Sequence, residues 1–216
     1  MKLLSKRWLT AALVLACGAS AACDNGTTGP GANTALYVVA ADGNFRSIGA
    51  ALKAAPAGEV IEVRGAFSER VVIDKPGIKL RGVGAVLDGA GVDGGRGIGI
   101  HITNVSDVEV SGFTVRNFER GIVVQGSANA IIRRNEVHTN NSKTASSATT
   151  LTPGVDLFEG LVLLGSTGTQ VTDNVLRNNG HDGLMITGGS RNNVVRANKI
   201  MDNGAQTLQI VPGQFG

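Results

Sequence analysis

Short runs of alternating apolar and polar residues recur along most of the chain. Gly121-Ile122-Val123-Val124, Gly160-Leu161-Val162-Leu163 and Gly183-Leu184-Met185-Ile186 open three similar segments. Gly97-Ile98-Gly99-Ile100 precedes them and Thr207-Leu208-Gln209-Ile210 follows. Gly97 to Gly121 is 24 residues, Gly160 to Gly183 is 23, and the last copy opens 24 further on. Within each repeat an Asn, an aliphatic and a second Asn keep fixed spacing: Asn135/Val137/Asn140, Asn174/Leu176/Asn179 and Asn198/Ile200/Asn203. Asn117, Asn140, Asn179 and Asn203 read as one column. Period-2 alternation bounded by Gly and Asn predicts short strands and tight turns. About three strands per repeat predict an all-β solenoid, a parallel β-helix whose turns stack at roughly 4.8 Å. A leucine-rich repeat of this length would need a regular Leu frame and a helix-like half, and neither is present. The repeated Asn residues then have a structural task, since they tolerate left-handed turns and their amides can stack in ladders.

The first third differs. Between Phe45 and Ala55, the residues Ile48, Ala51, Leu52 and Ala55 fall on one helical face, which predicts a short N-terminal helix capping the open end of the coil. Glu59–Val63, Arg70–Ile73 and Gly77–Leu80 are expected to form the first turn. Alternation points Ile122/Val124, Leu161/Leu163 and Leu184/Ile186 inward. It points Val123, Val162 and Met185 outward, with Gln125, Leu164 and Thr187. Asn140 to Gly160 spans 20 residues where Asn179 to Gly183 spans 4, so an inserted loop is placed at 141–159. Its Leu151, Val155, Leu157 and Phe158 are expected to cover the outward aliphatics, an apolar patch otherwise left in water. The chain stops at Gly216 partway through a turn without a comparable cap, so a shortened β-helix is expected.

The segment Tyr37 to Gly89 carries Asp42-Gly43, the Ile48–Ala55 helix, Gly65-Ala66-Phe67, Ile73-Asp74-Lys75-Pro76 and Leu87-Asp88-Gly89. It resembles the opening of the pectate-lyase-like, right-handed parallel β-helix superfamily, nearest to NosD-type and carbohydrate-processing repeat proteins. With the repeats, the resemblance covers nearly all of residues 37–216. It implies a single-stranded right-handed coil. It leaves activity open, because the superfamily includes lyases, hydrolases, esterases, epimerases and non-enzymes. Mannuronan epimerases of the superfamily carry a Tyr-Gly-Phe-Asp-Pro-His segment and a later Asp-Arg-His-Gly. Here Pro153-Gly154-Val155-Asp156-Leu157-Phe158 and Gly180-His181-Asp182-Gly183 keep only Gly154, Asp156 and Gly183. The paired catalytic Asp residues and Arg of the methylesterases are not recognisable.

Composition narrows the setting. Of 216 residues, 42% are hydrophobic and 17% charged, which excludes a disordered chain. Gly is abundant at 31 residues but has no Gly-X-Y period, which excludes collagen. Lys2, Lys6 and Arg7 precede the apolar run Trp8–Ala16, the layout of an export signal. Ser20-Ala21-Ala22-Cys23 resembles a bacterial lipobox, so residues 1–22 are read as a lipoprotein signal peptide and Cys23 as the lipidated residue. Val14-Leu15-Ala16-Cys17 is an alternative, and a soluble product cleaved near Ala22 is another. Residues 23–35 are a turn-rich tether, with the β-helix at 36–216. Cleavage removes three of the 20 basic residues and none of the 17 acidic ones. The resulting neutral chain gives no electrostatic case for nucleic acid. An exported protein anchored to the cell envelope through lipid alone, facing the periplasm or the outer surface, is expected. So is a monomer.

Two groups of residues are candidates for chemistry. Glu119-Arg120, Phe158-Glu159, His181-Asp182 and Ala205-Gln206 each precede an opening position, and Asp156 lies nearby. Glu159, His181, Asp182 and Asp156 are candidate catalytic groups for acid–base work, or oxygen ligands for Ca²⁺. Equally, they are where a coil places solvated charges. The second group is basic. Arg116, His138 and Arg177 share an outward position, Lys199 is one strand position away, and Arg133 and Arg196 form another pair. With Arg120, a basic stripe of this kind suits a polyuronate. By resemblance, lyases of the superfamily use an Arg or Lys base, for which Arg177 and Lys199 are candidates. The expected partner is an acidic polysaccharide that the chain binds or processes as a lyase or hydrolase. The alternative is an envelope protein docked by the 141–159 loop of a non-catalytic scaffold. The scarcity of aromatics, 4% of the chain, argues against a stacking sugar module.

Overall fold

The computed structural model describes residues 37–141, 158–205 and 208–210. Every strand pairs in parallel with its neighbours, and the coil has three faces. Face I stacks Val71–Ile73, Ile98–Thr103, Arg120–Gln125, Leu161–Leu164, Leu184–Thr187 and Leu208–Ile210. Faces II and III begin as the two halves of the long strands Lys79–Asp88 and Glu109–Arg116. Face II continues through Ile131–Arg133, Gln170–Thr172 and Val194–Arg196, and face III through Glu136–His138, Val175–Arg177 and Lys199–Met201. Tyr37–Val39 and Val60–Val63 extend face II, and Ala66–Phe67 extends face III. The first turn therefore matches the expected strands within one or two residues, except that the third runs on to Asp88. Its continuation past Gly82 was hidden by Gly82-Val83-Gly84.

The inward rows form one core. Ile61, Leu80, Val110, Ile132 and Val171 stack from face II, Ile100, Ile122, Leu161 and Leu184 from face I, and Leu87, Val115, Val137 and Leu176 from face III. Opposed residues on face I are 22 apart from Ile100 to Ile122 and 23 from Leu161 to Leu184, but 39 from Ile122 to Leu161. The stack is thus in register across the extra residues. The outward Val123, Val162, Met185 and Leu164 are buried and form a second cluster with Ile98. Of the residues expected to cover them, Leu151, Val155 and Leu157 lie outside the described residues, as does Asp156.

The helix runs Ile48–Ala54 with Ile48, Ala51 and Leu52 buried. Its ends are satisfied by the first turn of the coil. Ser47 Oγ accepts from the Ala50 N–H at 3.2 Å, and the Glu69 carboxylate accepts from the Ile48 and Gly49 N–H groups at 2.8 and 3.0 Å. Lys75 Nζ donates to the carbonyls of Leu52, Lys53 and Ala55 at 2.8–2.9 Å. An acid at the positive end and a base at the negative end suit both orphaned groups and dipole.

The Asn residues divide their two tasks between neighbours. Two ladders run inside the corners, Asn135–Asn174–Asn198 and Asn140–Asn179–Asn203, with Nδ2 donating to the next Oδ1 at 2.9–3.1 Å. The residue just before each rung takes the left-handed backbone: Arg134, Thr139, Asp173, Asn178, Ala197 and Asp202 have φ of 52–57°. Asn117, expected in the ladder column, belongs to the left-handed column instead, with φ of 61°. Phe118 takes the rung position, and its N–H donates to Asn140 Oδ1 at 3.1 Å.

Candidate functional site

Between faces III and I, the chain turns on Gly121, Gly160 and Gly183. A Cβ on Gly121 would lie 2.5 Å from the Gly160 carbonyl oxygen and collide with Val137. Gly and the following aliphatic both face inward, which sends the residue before the Gly outward. Arg120, Glu159 and Asp182 therefore form a row on successive turns, two places before Ile122, Leu161 and Leu184.

The structure brings these groups together but does not expose them. Arg120, Glu159 and Asp182 are 1%, 0% and 0% exposed, against the expectation of a solvated turn surface. Arg120 Nε donates to Glu159 Oε2 at 3.0 Å, and His181 Nδ1 lies 3.2 Å from Asp182 Oδ2. Glu119, in the same corner, accepts from the Gly97 N–H at 2.7 Å. Burial pushes the Glu159 carboxyl up to about 7, and the Arg120 charge and hydrogen bond offset this only in part. Glu159 Oε1 is buried without a hydrogen-bond partner among the described residues. Glu159 can hold a proton near neutrality, but no solvent reaches Glu159 or Asp182. A guanidinium against Glu159 also opposes a dication. Among the described residues no three His, Cys, Asp or Glu side chains gather as a metal site.

The basic positions lie on the outside of faces II and III. Asp88, Arg116, His138, Arg177 and Met201 occupy successive rungs of one row, so the equivalence of Arg116, His138 and Arg177 holds. Lys199 is instead two residues from that row, in the row of Glu136 and Val175. Arg133 and Arg196 share a row with Thr172 between them.

The stripe is not uniformly basic. Arg116 Nε donates to Asp88 Oδ2 at 2.9 Å, Arg177 Nε and Nη2 donate to Glu136 Oε1 at 2.9 and 2.6 Å, and Arg133 Nη2 donates to Glu109 Oε1 at 2.8 Å. Burial raises the Asp88 carboxyl, but hydrogen bonds from Asn117, the Ala90 N–H and Arg116 outweigh it and hold it below its ordinary value. His138 is pushed down by burial and by Arg177, which favours the neutral ring between two guanidiniums. The carboxylates Asp88, Glu136 and Glu109 were missed as partners because each sits on a different turn from its Arg, or across the strand. Arg81 and Arg134, at the corner between faces II and III, were missed because no repeat copy marks them: Asp173 and Ala197 stand in the places equivalent to Arg134.

A family model described as "Right handed beta helix region" matches residues 61–215. Among solved structures, the crystal structure of Dettilon tailspike protein (gp208) is similar with a TM-score of 0.46 at 15% identity. The match covers 76% of this chain and 35% of that one, so the chain spans about a third of the tailspike's length. A comparison with curated proteins finds no match.

Proposed function

The chain belongs to the right-handed β-helix family, and from that premise we infer that the outside of its coil binds an acidic polysaccharide. The observation that carries this is the row Asp88–Arg116–His138–Arg177. Its rungs recur at the strand spacing of about 4.8 Å, parallel to the coil axis, and its arginines hold single carboxylates at 42% and 35% side-chain exposure. Exposed pairs of this kind contribute roughly 0–1 kcal/mol each, so a uronate carboxylate can replace an internal one at little cost. A polymer that presents carboxylates in series engages several such arginines together, and avidity supplies what no single pair does. The Lys2 to Cys23 pattern supports an exported protein held at the envelope by a lipidated Cys23. Titration of the purified domain with polygalacturonate and with its carboxyl-reduced, neutral counterpart tests the reading. Binding of the first alone supports it, and equal binding of both removes it.

A second reading is favoured by Glu159, whose raised carboxyl and unpartnered Oε1 suit an acid–base group. In that case the Arg120–Glu159–Asp182–His181 corner, closed to solvent as it stands, would have to open to process the bound chain. Product analysis after incubation with polyuronates separates the two. Unsaturated or shortened chains that disappear in Glu159→Gln establish processing, and intact polymer leaves binding alone.

A further inference from the structure

The corner between faces II and III holds a shallow cavity of about 420 Å³ that shares only Arg133 with the groups described above. In the two long strands these faces are continuous, and the register slips between Arg81 and Ala85. Gly82 and Gly112 meet at the slip: a Cβ on Gly82 would lie 2.5 Å from the Gly112 carbonyl oxygen. Gly112 has a φ of 76°, in the left-handed region. With no side chains there the surface is hollowed, and Val83 lines it at 57% exposure.

Three arginines, Arg81, Arg133 and Arg134, line the same hollow. Arg133 is held by Glu109, which also accepts from Ser111 Oγ at 3.1 Å. Glu62, opposite Arg81 on the preceding turn, is paired with Arg64. Asp173, which follows Arg134 in the corner column, is exposed and makes no ion pair with it among the described residues. The Arg81 and Arg134 side chains have no hydrogen-bond or ion-pair partner among the described residues, the Arg134 N–H alone donating to the Thr172 carbonyl at 3.2 Å. Arg134 also sits at a φ of 55°, a conformation that Gly and Asn adopt more easily. An unpaired charge lining a cavity is where a ligand is expected.

We propose that this hollow seats one carboxylate-bearing sugar ring of the polysaccharide, with Arg81 and Arg134 binding the carboxylate and Val83 lying against the ring. The proposal rests on the acidic-polysaccharide reading and adds the place where binding starts. The row arginines must first release Asp88 or Glu136, whereas Arg81 and Arg134 release nothing. Guanidinium and carboxylate match in a forked, two-bond geometry. At about 420 Å³ the hollow is near the lower limit of small-ligand sites, roughly 300–1,000 Å³, which suits a single ring.

The test is calorimetric titration of the full domain with trigalacturonate, its carboxyl-reduced analogue and long polygalacturonate. Arg81→Gln/Arg134→Gly is compared with Arg116→Gln/Arg177→Gln. Gly suits the left-handed backbone at 134, so the first variant keeps the corner intact, and a thermal melt checks this. The expected result is a loss of trimer affinity of about tenfold or more in Arg81→Gln/Arg134→Gly, at least about threefold larger than the loss in the row variant, whose arginines also bind. The reduced analogue should not bind. Loss below about twofold in Arg81→Gln/Arg134→Gly, with wild-type binding intact, overturns the hollow and leaves the general reading standing. Wild-type protein that binds neither trimer nor polymer overturns both.

Discussion

Asn179 offers the sharpest perturbation of the coil. It is buried, and its side chain makes four hydrogen bonds across three turns. Oδ1 accepts from the Asn140 N–H and Nδ2 at 3.2 and 3.0 Å; Nδ2 donates to the Val137 carbonyl at 3.2 Å and to Asn203 Oδ1 at 3.0 Å. Asn179→Ala removes all four. Asn203 is half-buried and recovers a partner from water, and Asn140 Nδ2 keeps the Val115 carbonyl at 3.2 Å. The Asn140 N–H and the Val137 carbonyl lose that bond inside the core. Two such losses at about 1–3 kcal/mol each predict destabilisation of about 2–6 kcal/mol. Asn178→Gly, one residue earlier, is the control. Asn178 is exposed with a φ of 52°, which Gly adopts without strain, so the change stays within about 1 kcal/mol. Urea unfolding followed by far-ultraviolet circular dichroism measures both. Equal effects, or less than about 1 kcal/mol for Asn179→Ala, would refute the division of labour between the two columns.

Other consequences concern charge, close approach and anchoring. Because the folded Glu159 carboxyl stands near 7, above its ordinary value of 4.5, its contribution is fully present below about pH 4.5 and is lost as pH rises towards 7. This amounts to roughly 3 kcal/mol. Urea midpoints from pH 4.5 to 7.5 should fall in wild type and flatten in Glu159→Gln; a wild-type midpoint that rises with pH contradicts the assignment. Glu136→Gln frees Arg177 and should raise polygalacturonate affinity about two- to threefold in titration, while a decrease would mean the carboxylate helps binding. Gly121→Ala places a Cβ against Val137 and the Gly160 carbonyl and should cost at least about 2 kcal/mol in urea unfolding; a neutral result contradicts the tight corner. Cys23→Ser should abolish fatty-acid labelling and release the protein from membranes in fractionated cells, whereas unchanged labelling would move the anchor to Cys17.

Much of the coil could be read from the repeat, because a stacked turn must place like residues above like. The three strands per turn, the extra residues after Asn140 and the inward rows followed directly. What the spacing did not resolve was which of two adjacent corner residues does which task. Asn117 and Asn140 look alike in sequence, yet one bends the backbone and the other bridges turns. Burial was legible only in part. The outward Val123, Val162 and Met185 called for a cover and are buried, but Arg120, Glu159 and Asp182 are charged at outward positions, which in a repeat reads as solvent. The basic row was found, but its partners were not, since Asp88 and Glu136 reach their arginines across turns 28 and 41 residues away. Arg81 and Arg134 could be found only from the slip at Gly82 and Gly112.

Migration of the purified domain in native gels containing polygalacturonate, at low and at high salt, decides whether the coil recognises carboxylates. Retardation should increase with polymer concentration, weaken as salt screens the guanidiniums and vanish when the polymer's carboxyls are reduced. Unretarded migration at low salt, or equal retardation by the reduced polymer, would contradict that recognition.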